Sequence, residues 1–399
     1  MTTSQTRLVF LDNLRYLLVL LVVVLHVSIS YSNGLPWWYI VDSNKSPFFD
    51  LLIIVFDSFL MPGLFFMAGY FALSSLQRKK TAGAFIVAKL KRLGIPWFLS
   101  VFLLVPIMPY FYHYTRAATP LSFGTFWLGF VKSVGNFKLT LVEPSNLTHN
   151  ANLMNEFGHH HLWFISLLLF FFIGFALLYQ LKAQFSTPTS HNHNSKIQSI
   201  WVVLLIVGII ISLSVIVINY FIFSFAWVSI YNVLLFQPVR LPLYLGLFGL
   251  GIYAYSKNWL TQHRLPGSLL MWFIACLVLT FILFGIIAKI LAIISNDATS
   301  PIPFWLIATH GTVRTFLGLA WLVLLLSLTQ RYWNRPTKSD QNLAASSYYI
   351  YIIHLPIVVI FQYLFLAVNI SIFVKFSLIV CLSILLSYGI SHFLRSIQN

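Results

Sequence analysis

Ten apolar runs separated by short polar segments dominate the pattern of this chain. They lie at residues 8–30, 48–73, 95–114, 162–181, 200–224, 238–255, 269–294, 304–328, 343–368 and 372–394. A helix of about 20 residues crosses the roughly 30 Å of hydrocarbon in a bilayer. Each run must be helical, because a lone strand in lipid would leave its backbone groups unpaired. The pattern therefore predicts an all-α, polytopic integral membrane protein with about ten transmembrane helices.

The sixth run is the weakest of the ten. Pro238 and Pro242 flank Arg240 within it, and proline lacks the N–H that continues a helix. We expect the chain to enter the membrane late there or to bend. The longest link, residues 116–161, has no apolar periodicity that indicates a separate core. We therefore treat residues 1–399 as a single membrane-embedded domain.

The composition supports a membrane protein and excludes two other classes. Hydrophobic residues make up 59% of the chain and charged residues only 8%, whereas soluble domains are about 25% charged. The net charge of +16 does not indicate nucleic-acid binding, because the cations lie in short links between apolar runs. The two cysteines, Cys276 and Cys381, both lie within apolar runs, so we expect neither a disulfide framework nor a zinc site.

The distribution of Lys and Arg predicts the orientation. If the N-terminus is cytosolic, the inner segments hold fifteen such residues, namely Arg7, Arg78, Lys79, Lys80, Lys89, Lys91, Arg92, Lys182, Lys196, Lys257, Arg264, Arg331, Arg335, Lys338 and Arg395. The outer segments then hold four, namely Lys45, Arg116, Lys132 and Lys138. Cytoplasmic loops carry the excess of positive charge, so both termini are predicted to be cytosolic.

The first run contains ionisable residues that are costly in lipid. Asp12 and Arg15 are three residues apart, and His26 follows Arg15 after eleven. At 3.6 residues per turn, Arg15 and His26 share one helix face about 16 Å apart. Two interpretations stay open: an Asp12–Arg15 pair at the interface with a structural His26, or a polar stripe that lines a substrate channel.

Asp57 lies near the middle of the second run, where a carboxylate needs a partner. His26 or a nearby basic residue is the natural candidate. Asp57 is then either part of a structural ion pair or a catalytic residue that orients His26.

Lys89 and Arg92 lie three residues apart just before the third run, on one face if the segment is α-helical. They are either ordinary positive-inside charges or a pair that binds the phosphates of an anionic cosubstrate.

Further histidines occur at the entrance of the fourth run and within later runs. Adjacent residues on a helix do not face one point, so His159, His160 and His161 are not expected to hold a metal. We consider His161, next to Trp163, an interfacial or channel-mouth residue. His310 and Arg314, four residues apart, and His354 in the segment SSYYIYIIHLPI complete the candidate substrate-binding residues.

The opening segment LDNLRYLLVLLVVVLH resembles the Arg-x10-His signature of the acyltransferase 3 family of membrane acyltransferases, with Arg15 and His26 at the signature positions. The segment FLMPGLFFMAGYF resembles the family's second-span motif, with Ala68 where Ser is usual. Lys89-x-x-Arg92 stands for the family's Arg-x-x-Arg, so the charge is kept and one guanidinium is lost. The chain is most similar to the minimal ten-span members, such as relatives of glucan succinyltransferases.

The resemblance implies acyl-CoA as donor, a hydroxyl of an extracytoplasmic glycan or other envelope molecule as acceptor, and a location in the bacterial inner membrane. It implies a His-centred mechanism with His26 as general base and no metal. Two other classes stay open: a proton-coupled secondary transporter, although we find no repeated halves, and a scaffold whose polar residues only join helices.

Overall fold

The computed structural model describes residues 8–135, 139–142, 158–185, 199–222, 226–262, 265–297 and 301–398. Four of the cations used to predict orientation, Arg7, Lys138, Lys196 and Arg264, lie outside these ranges. The helices are α1 (Val9–Ile29), α2 (Pro47–Lys79), α3 (Ala82–Lys89), α4 (Ile95–Leu103), α5 (Ile107–Tyr114), α6 (Phe123–Lys132), α7 (Trp163–Phe185), α8 (Ile200–Phe221), α9 (Leu241–Ser256), α10 (Trp259–Gln262), α11 (Leu269–Asn296), α12 (Phe304–Tyr332), α13 (Lys338–Phe365) and α14 (Ile372–Gln398). A π-helical segment, Leu90–Gly94, joins α3 to α4.

Nine helical segments within the described ranges are long and apolar enough to cross a membrane. They correspond to nine of the ten predicted spans, and the predicted all-α polytopic architecture is confirmed. The third segment, Ala82–Tyr114, begins thirteen residues before the predicted start at 95. It includes α3, the π-helical segment, α4 and α5. Lys89 and Arg92, which were expected just before the third span, therefore belong to the spanning segment itself.

The sixth predicted span is present as a shorter helix. Pro238–Arg240 forms a 3-10 turn, and α9 follows with 16 residues. At about 1.5 Å per α-helical residue and about 2 Å per 3-10 residue, the two together extend about 30 Å, which matches the hydrocarbon thickness. The α-helix starts late, as the two prolines predict.

Backbone contact holds α9 against α2. A Cβ added at Gly69 would lie 2.0 Å from the Phe248 carbonyl oxygen, and one at Gly251 would lie 2.2 Å from that of Phe66. The helices run side by side in the same direction, since Phe65 stacks on Tyr244 and Tyr70 meets Tyr255. Small residues at a helix interface permit this close approach. In lipid the hydrophobic effect does not drive helices together, so van der Waals contacts between closely packed backbones stabilise the pair.

Gly251→Ala is expected to destabilise the protein by about 2 kcal/mol, because the added methyl group overlaps the α2 backbone, which cannot move aside as a side chain can. Melting of the purified protein in detergent measures this. Gly249→Ala is the matched control two residues away, where an added Cβ meets nothing within 4 Å. Equal melting temperatures for the two variants would contradict the close α2–α9 contact.

We call the side of the bundle where α1 begins the N-terminal side, and the side where α1 ends the distal side. On the N-terminal side, Asn13 Nδ2 donates to the Trp333 carbonyl at 2.9 Å. Tyr16 and Arg15 of α1 donate to Asp340 and to the Ala344 carbonyl, so α13 begins on the same side. Arg395, near the end of α14, donates to Ser346 Oγ at 3.0 Å in the third turn of α13. The last helix therefore ends on the side where the first begins, which requires an even number of membrane crossings. Among the described residues, α9 added to the nine spanning segments makes this number ten.

The outer surface of the bundle is apolar. Leu213 on α8, Phe281 on α11 and Leu385 on α14 expose 58%, 68% and 66% of their area. Apolar surface on this scale is stable only against another apolar phase, here the lipid of a bilayer. The chain is thus a multi-pass membrane protein.

A small antiparallel sheet, which the sequence pattern does not predict, is formed by segments that link helices along the chain. Its strands are β1 (Leu139–Val142), β2 (Trp227–Ile230) and β3 (Leu234–Phe236), in the order β1-β2-β3. The fifth span, predicted to continue to 224, ends at Phe221 in α8, because the chain leaves the helix to enter this sheet. Strands of three or four mostly apolar residues cannot be distinguished from helix ends by periodicity.

Candidate active site

Three histidines from three helical segments meet near the distal side. His26 lies on α1, His354 on α13, and His161 in the 3-10 turn that precedes α7. His26 Nδ1 and His354 Nε2 are 3.0 Å apart. The His161 and His354 ring centroids are 5.3 Å apart, with the rings nearly perpendicular. The structure thus joins three of the predicted site residues in one cluster.

Hydrogen bonds determine which nitrogen of each ring carries the proton. His354 Nδ1 lies 2.7 Å from the Tyr351 carbonyl, which can only accept, so His354 Nδ1 is the donor. In a neutral ring His354 Nε2 then carries the lone pair and accepts from His26 Nδ1–H. His26 Nε2 is therefore left with its lone pair, in the form that a general base requires.

The surroundings hold the His26 ring in place. Trp38 stacks on it with centroids 5.7 Å apart and planes inclined by 11°. Trp38 Nε1 donates to Gln362 Oε1 at 3.1 Å, and Gln362 Nε2 donates to the His26 carbonyl at 3.2 Å. Arg116 donates to the Trp38 carbonyl at 2.9 Å and so anchors the loop that carries the indole. His26 is half-buried, whereas His354 is fully buried.

The three adjacent histidines diverge. His159 donates through Nε2 to the Asn232 carbonyl at 2.6 Å, His160 bonds to the Tyr39 hydroxyl, and His161 Nε2 donates to the Ile352 carbonyl at 2.9 Å. Burial lowers the pKa of His159 to about 4, so its ring is neutral at physiological pH. Burial also raises the pKa of Tyr39, which keeps its hydroxyl protonated.

Asp57 forms a second polar centre with two arginines. Its carboxylate accepts from Arg240 Nη1 at 2.5 Å and from Arg314 Nη2 at 2.6 Å. The expectation that Asp57 orients His26 is wrong in this respect, because both carboxylate oxygens are engaged by guanidinium groups and His26 is oriented by His354. His310 is buried one turn before Arg314 on α12.

The two centres lie at similar depth. A Cβ on Gly63 of α2 would contact Leu18 of α1 at 3.0 Å, so these two residues are level with each other. Asp57 lies six residues to the distal side of Gly63 and His26 eight residues to the distal side of Leu18, a difference of about 3 Å along the axis.

Tyr244 and Trp163 connect the two centres. Tyr244 hydrogen-bonds to Arg240, and its ring centroid lies 5.5 Å from that of Trp163, two residues after His161. The Tyr351 hydroxyl donates to the His161 carbonyl at 2.6 Å. Side-chain contacts through Tyr244 thus link the Asp57 centre to the segment that carries His161.

Arg15 lies on the N-terminal side and pairs with Asp12 at 3.0 Å, as the spacing predicts. Its guanidinium also donates to the Ala344 carbonyl on α13 at 3.3 Å. Because His26 bonds to His354 on the same helix, Arg15 and His26 both face α13. Ten residues of α13 separate the two contacts, or about 15 Å.

Lys89 and Arg92 differ in their surroundings. The Lys89 ammonium lies 4.0 Å from the centroid of the Phe172 ring, whereas Arg92 is exposed. The π-helical segment that begins at Leu90 changes the angular spacing between them, because it has more residues per turn than an α-helix. Tyr348 on α13 donates to the Leu93 carbonyl at 3.0 Å, so the residue after Arg92 contacts α13 one turn beyond Ala344.

Several site residues were not predicted from the sequence. Arg240 was noted only because it made the sixth span uncertain, although an arginine within an apolar run is itself a signal of a buried charge. Gln362 lies in an apolar run as well and was open to the same reasoning. Trp38 and Arg116 belong to links, where nothing in the sequence relates them to His26.

Comparison with known proteins identifies one family. The acyltransferase 3 family, described as an acyltransferase domain, matches residues 8–392, nearly the whole chain. No curated protein and no solved structure matches this chain.

Proposed function

Because the chain belongs to the acyltransferase 3 family and is a membrane acyltransferase, we propose that it transfers an acetyl- or succinyl-type group from cytosolic acyl-CoA to a hydroxyl of an extracytoplasmic glycan or other envelope molecule, in a bacterial inner membrane. The main support is His26, whose Nε2 lone pair is left unprotonated by the hydrogen bond to His354.

His26 acts as the general base in this proposal. Its Nε2 takes the proton of the acceptor hydroxyl as that oxygen attacks the thioester carbonyl carbon. The tetrahedral intermediate collapses, the carbon–sulfur bond breaks, and the CoA thiolate takes the proton from the His26 imidazolium. His354 fixes the His26 tautomer, and Trp38 fixes the plane of the ring. The His161 Nδ1 atom, buried without a partner, offers an acceptor for a substrate hydroxyl.

The donor binds from the N-terminal side in this proposal. Arg15 and Arg92 both lie beside the first turns of α13, and cations of this kind bind phosphates by charge-assisted hydrogen bonds. The roughly 15 Å along α13 from Ala344 to His354 is on the scale of an extended pantetheine arm. One acyl-CoA can then place its phosphates at the cations and its thioester at His26.

Lys89→Ala and Arg92→Ala are each expected to weaken CoA binding by about tenfold, because each removes one charge-assisted contact to phosphate. Isothermal titration of the purified protein with CoA measures this. Lys91→Ala is the control, since Lys91 is an exposed neighbour of equal charge in the same π-helical segment. Affinities unchanged in both variants would make Lys89 and Arg92 simple determinants of topology.

A reporter fused after Asn399 is expected to be active only in the cytosol, because fifteen inner cations oppose four outer ones. Parallel fusions of a cytosol-active and a periplasm-active reporter measure this. A fusion after Ser30, which follows α1 on the distal side, serves as the opposite control. Periplasmic activity at the C-terminus would reverse the donor and acceptor sides.

The function itself is tested by mass spectrometry of envelope glycans and small metabolites from cells with and without this protein. The expected result is a product that gains an acyl mass only when the protein is present, and that loses it with His26→Ala. A solute whose uptake depends on the protein, with no acylated product, would instead indicate a proton-coupled transporter.

A further inference from the structure

We infer that Arg240 and Arg314 form a binding site for an anionic group of the substrate, a carboxylate or a phosphate, beside the histidine cluster. This inference rests on the proposed function, because it concerns a substrate of the same site. The anionic group belongs either to a dicarboxylic acyl group on CoA or to the acceptor.

The first argument is charge. Two guanidinium groups share one carboxylate, so Asp57, Arg240 and Arg314 together carry a net charge of +1. A surplus charge at this depth is costly unless a counter-charge or water compensates it. An ion pair that served only to join helices would need one arginine, and the second arginine is the unexplained feature.

The second argument is the donors that remain. Arg240 uses Nη1 and Arg314 uses Nη2 for the carboxylate. The Nε atoms of both are buried without a hydrogen-bond partner. An arginine has five N–H donors in a planar fork that matches a carboxylate or phosphate, so this pair retains capacity for an anion.

The third argument is access. The side chains of Arg240 and Arg314 each retain 14% exposure, and that of Asp57 retains 30%. Lipid contact would be prohibitive for three ionised groups, so the exposed area faces an internal, water-accessible space. Because this centre lies level with His26 and is linked to the segment of His161 by the contact between Tyr244 and Trp163, an anion bound here belongs to a molecule that also reaches His26.

The test compares succinyl-CoA with butyryl-CoA, which has the same four-carbon acyl chain without the carboxylate, on the purified protein in detergent. If the anion comes from the donor, wild type binds succinyl-CoA about tenfold more tightly. Arg314→Gln is then expected to remove that difference and to leave the affinity for butyryl-CoA unchanged.

If the anion comes from the acceptor, the two donors bind equally, but inorganic phosphate or succinate raises the melting temperature of wild type. That stabilisation is expected to be lost in Arg314→Gln and kept in Lys89→Ala, which alters only the donor-phosphate region. Arg240→Gln replaces Arg314→Gln if the latter does not purify as a folded species.

The inference is overturned if wild type binds succinyl-CoA and butyryl-CoA equally and is stabilised by neither phosphate nor succinate. This result is obtained on the wild-type protein alone. Acyl transfer from acetyl-CoA that persists in this case would leave the proposed function intact. Absence of any acyl-CoA binding would instead remove the proposed function.

Discussion

Replacing His26 by alanine is expected to reduce acyl transfer by about 100-fold or more, because loss of a general base typically costs that much. The ring has its proton on Nδ1, bonded to His354, and its lone pair on Nε2, and no other described residue occupies the same position between Trp38 and His354. The measurement is transfer of a labelled acyl group by protein reconstituted in liposomes, with CoA binding and melting temperature determined in parallel.

His392→Ala is the matched control for this prediction. His392 is an exposed histidine on α14 whose ring contacts that of Tyr388 at 6.1 Å, so its removal should change neither transfer nor CoA binding. The distinguishing result is a large loss of transfer in His26→Ala with CoA affinity retained. Near-normal transfer by His26→Ala would place the base elsewhere, with His161 and His354 as the nearest alternatives.

Replacing Asp57 by alanine is expected to destabilise the fold by about 3 kcal/mol, because it leaves two guanidinium groups of the bundle interior without their carboxylate. This value is the lower end of the usual free-energy cost of removing one partner of a buried ion pair, because the three side chains keep some access to water. Chemical or thermal denaturation in detergent measures the loss, and a reduced yield of monodisperse protein is the accompanying sign.

Two further variants test the cause of this destabilisation. Asp12→Ala, which breaks the ion pair with Arg15 near the edge of the bundle, should cost less than about 1 kcal/mol. Asp57→Asn combined with Arg314→Gln restores the net charge of +1 and should be more stable than Asp57→Asn alone, a non-additive result expected of residues in one network. Additive losses would show that charge is not the reason.

The sequence alone was sufficient to show that this protein lies in a lipid bilayer and where its spans occur. Hydropathy is a property of consecutive residues, and a helix of about 20 apolar residues has few alternatives in lipid. For the same reason the local pattern predicted the Asp12–Arg15 pair, the late start of α9 and, with the Arg-x10-His spacing, the family. Each of these depends on neighbours within a few turns of one segment.

Only the tertiary structure decided which polar residues meet. His26 and His354 are 328 positions apart, and Asp57 and Arg314 are 257 apart. Helix order and rotation in the bundle determine such contacts, and no periodicity within one span encodes them. The sequence therefore left the partner of Asp57 open between His26 and a basic residue, and the structure pairs it with Arg240 and Arg314. The π-helical segment Leu90–Gly94 is a smaller example, since the angular spacing between Lys89 and Arg92 was predicted for a regular α-helix and differs from it in the structure.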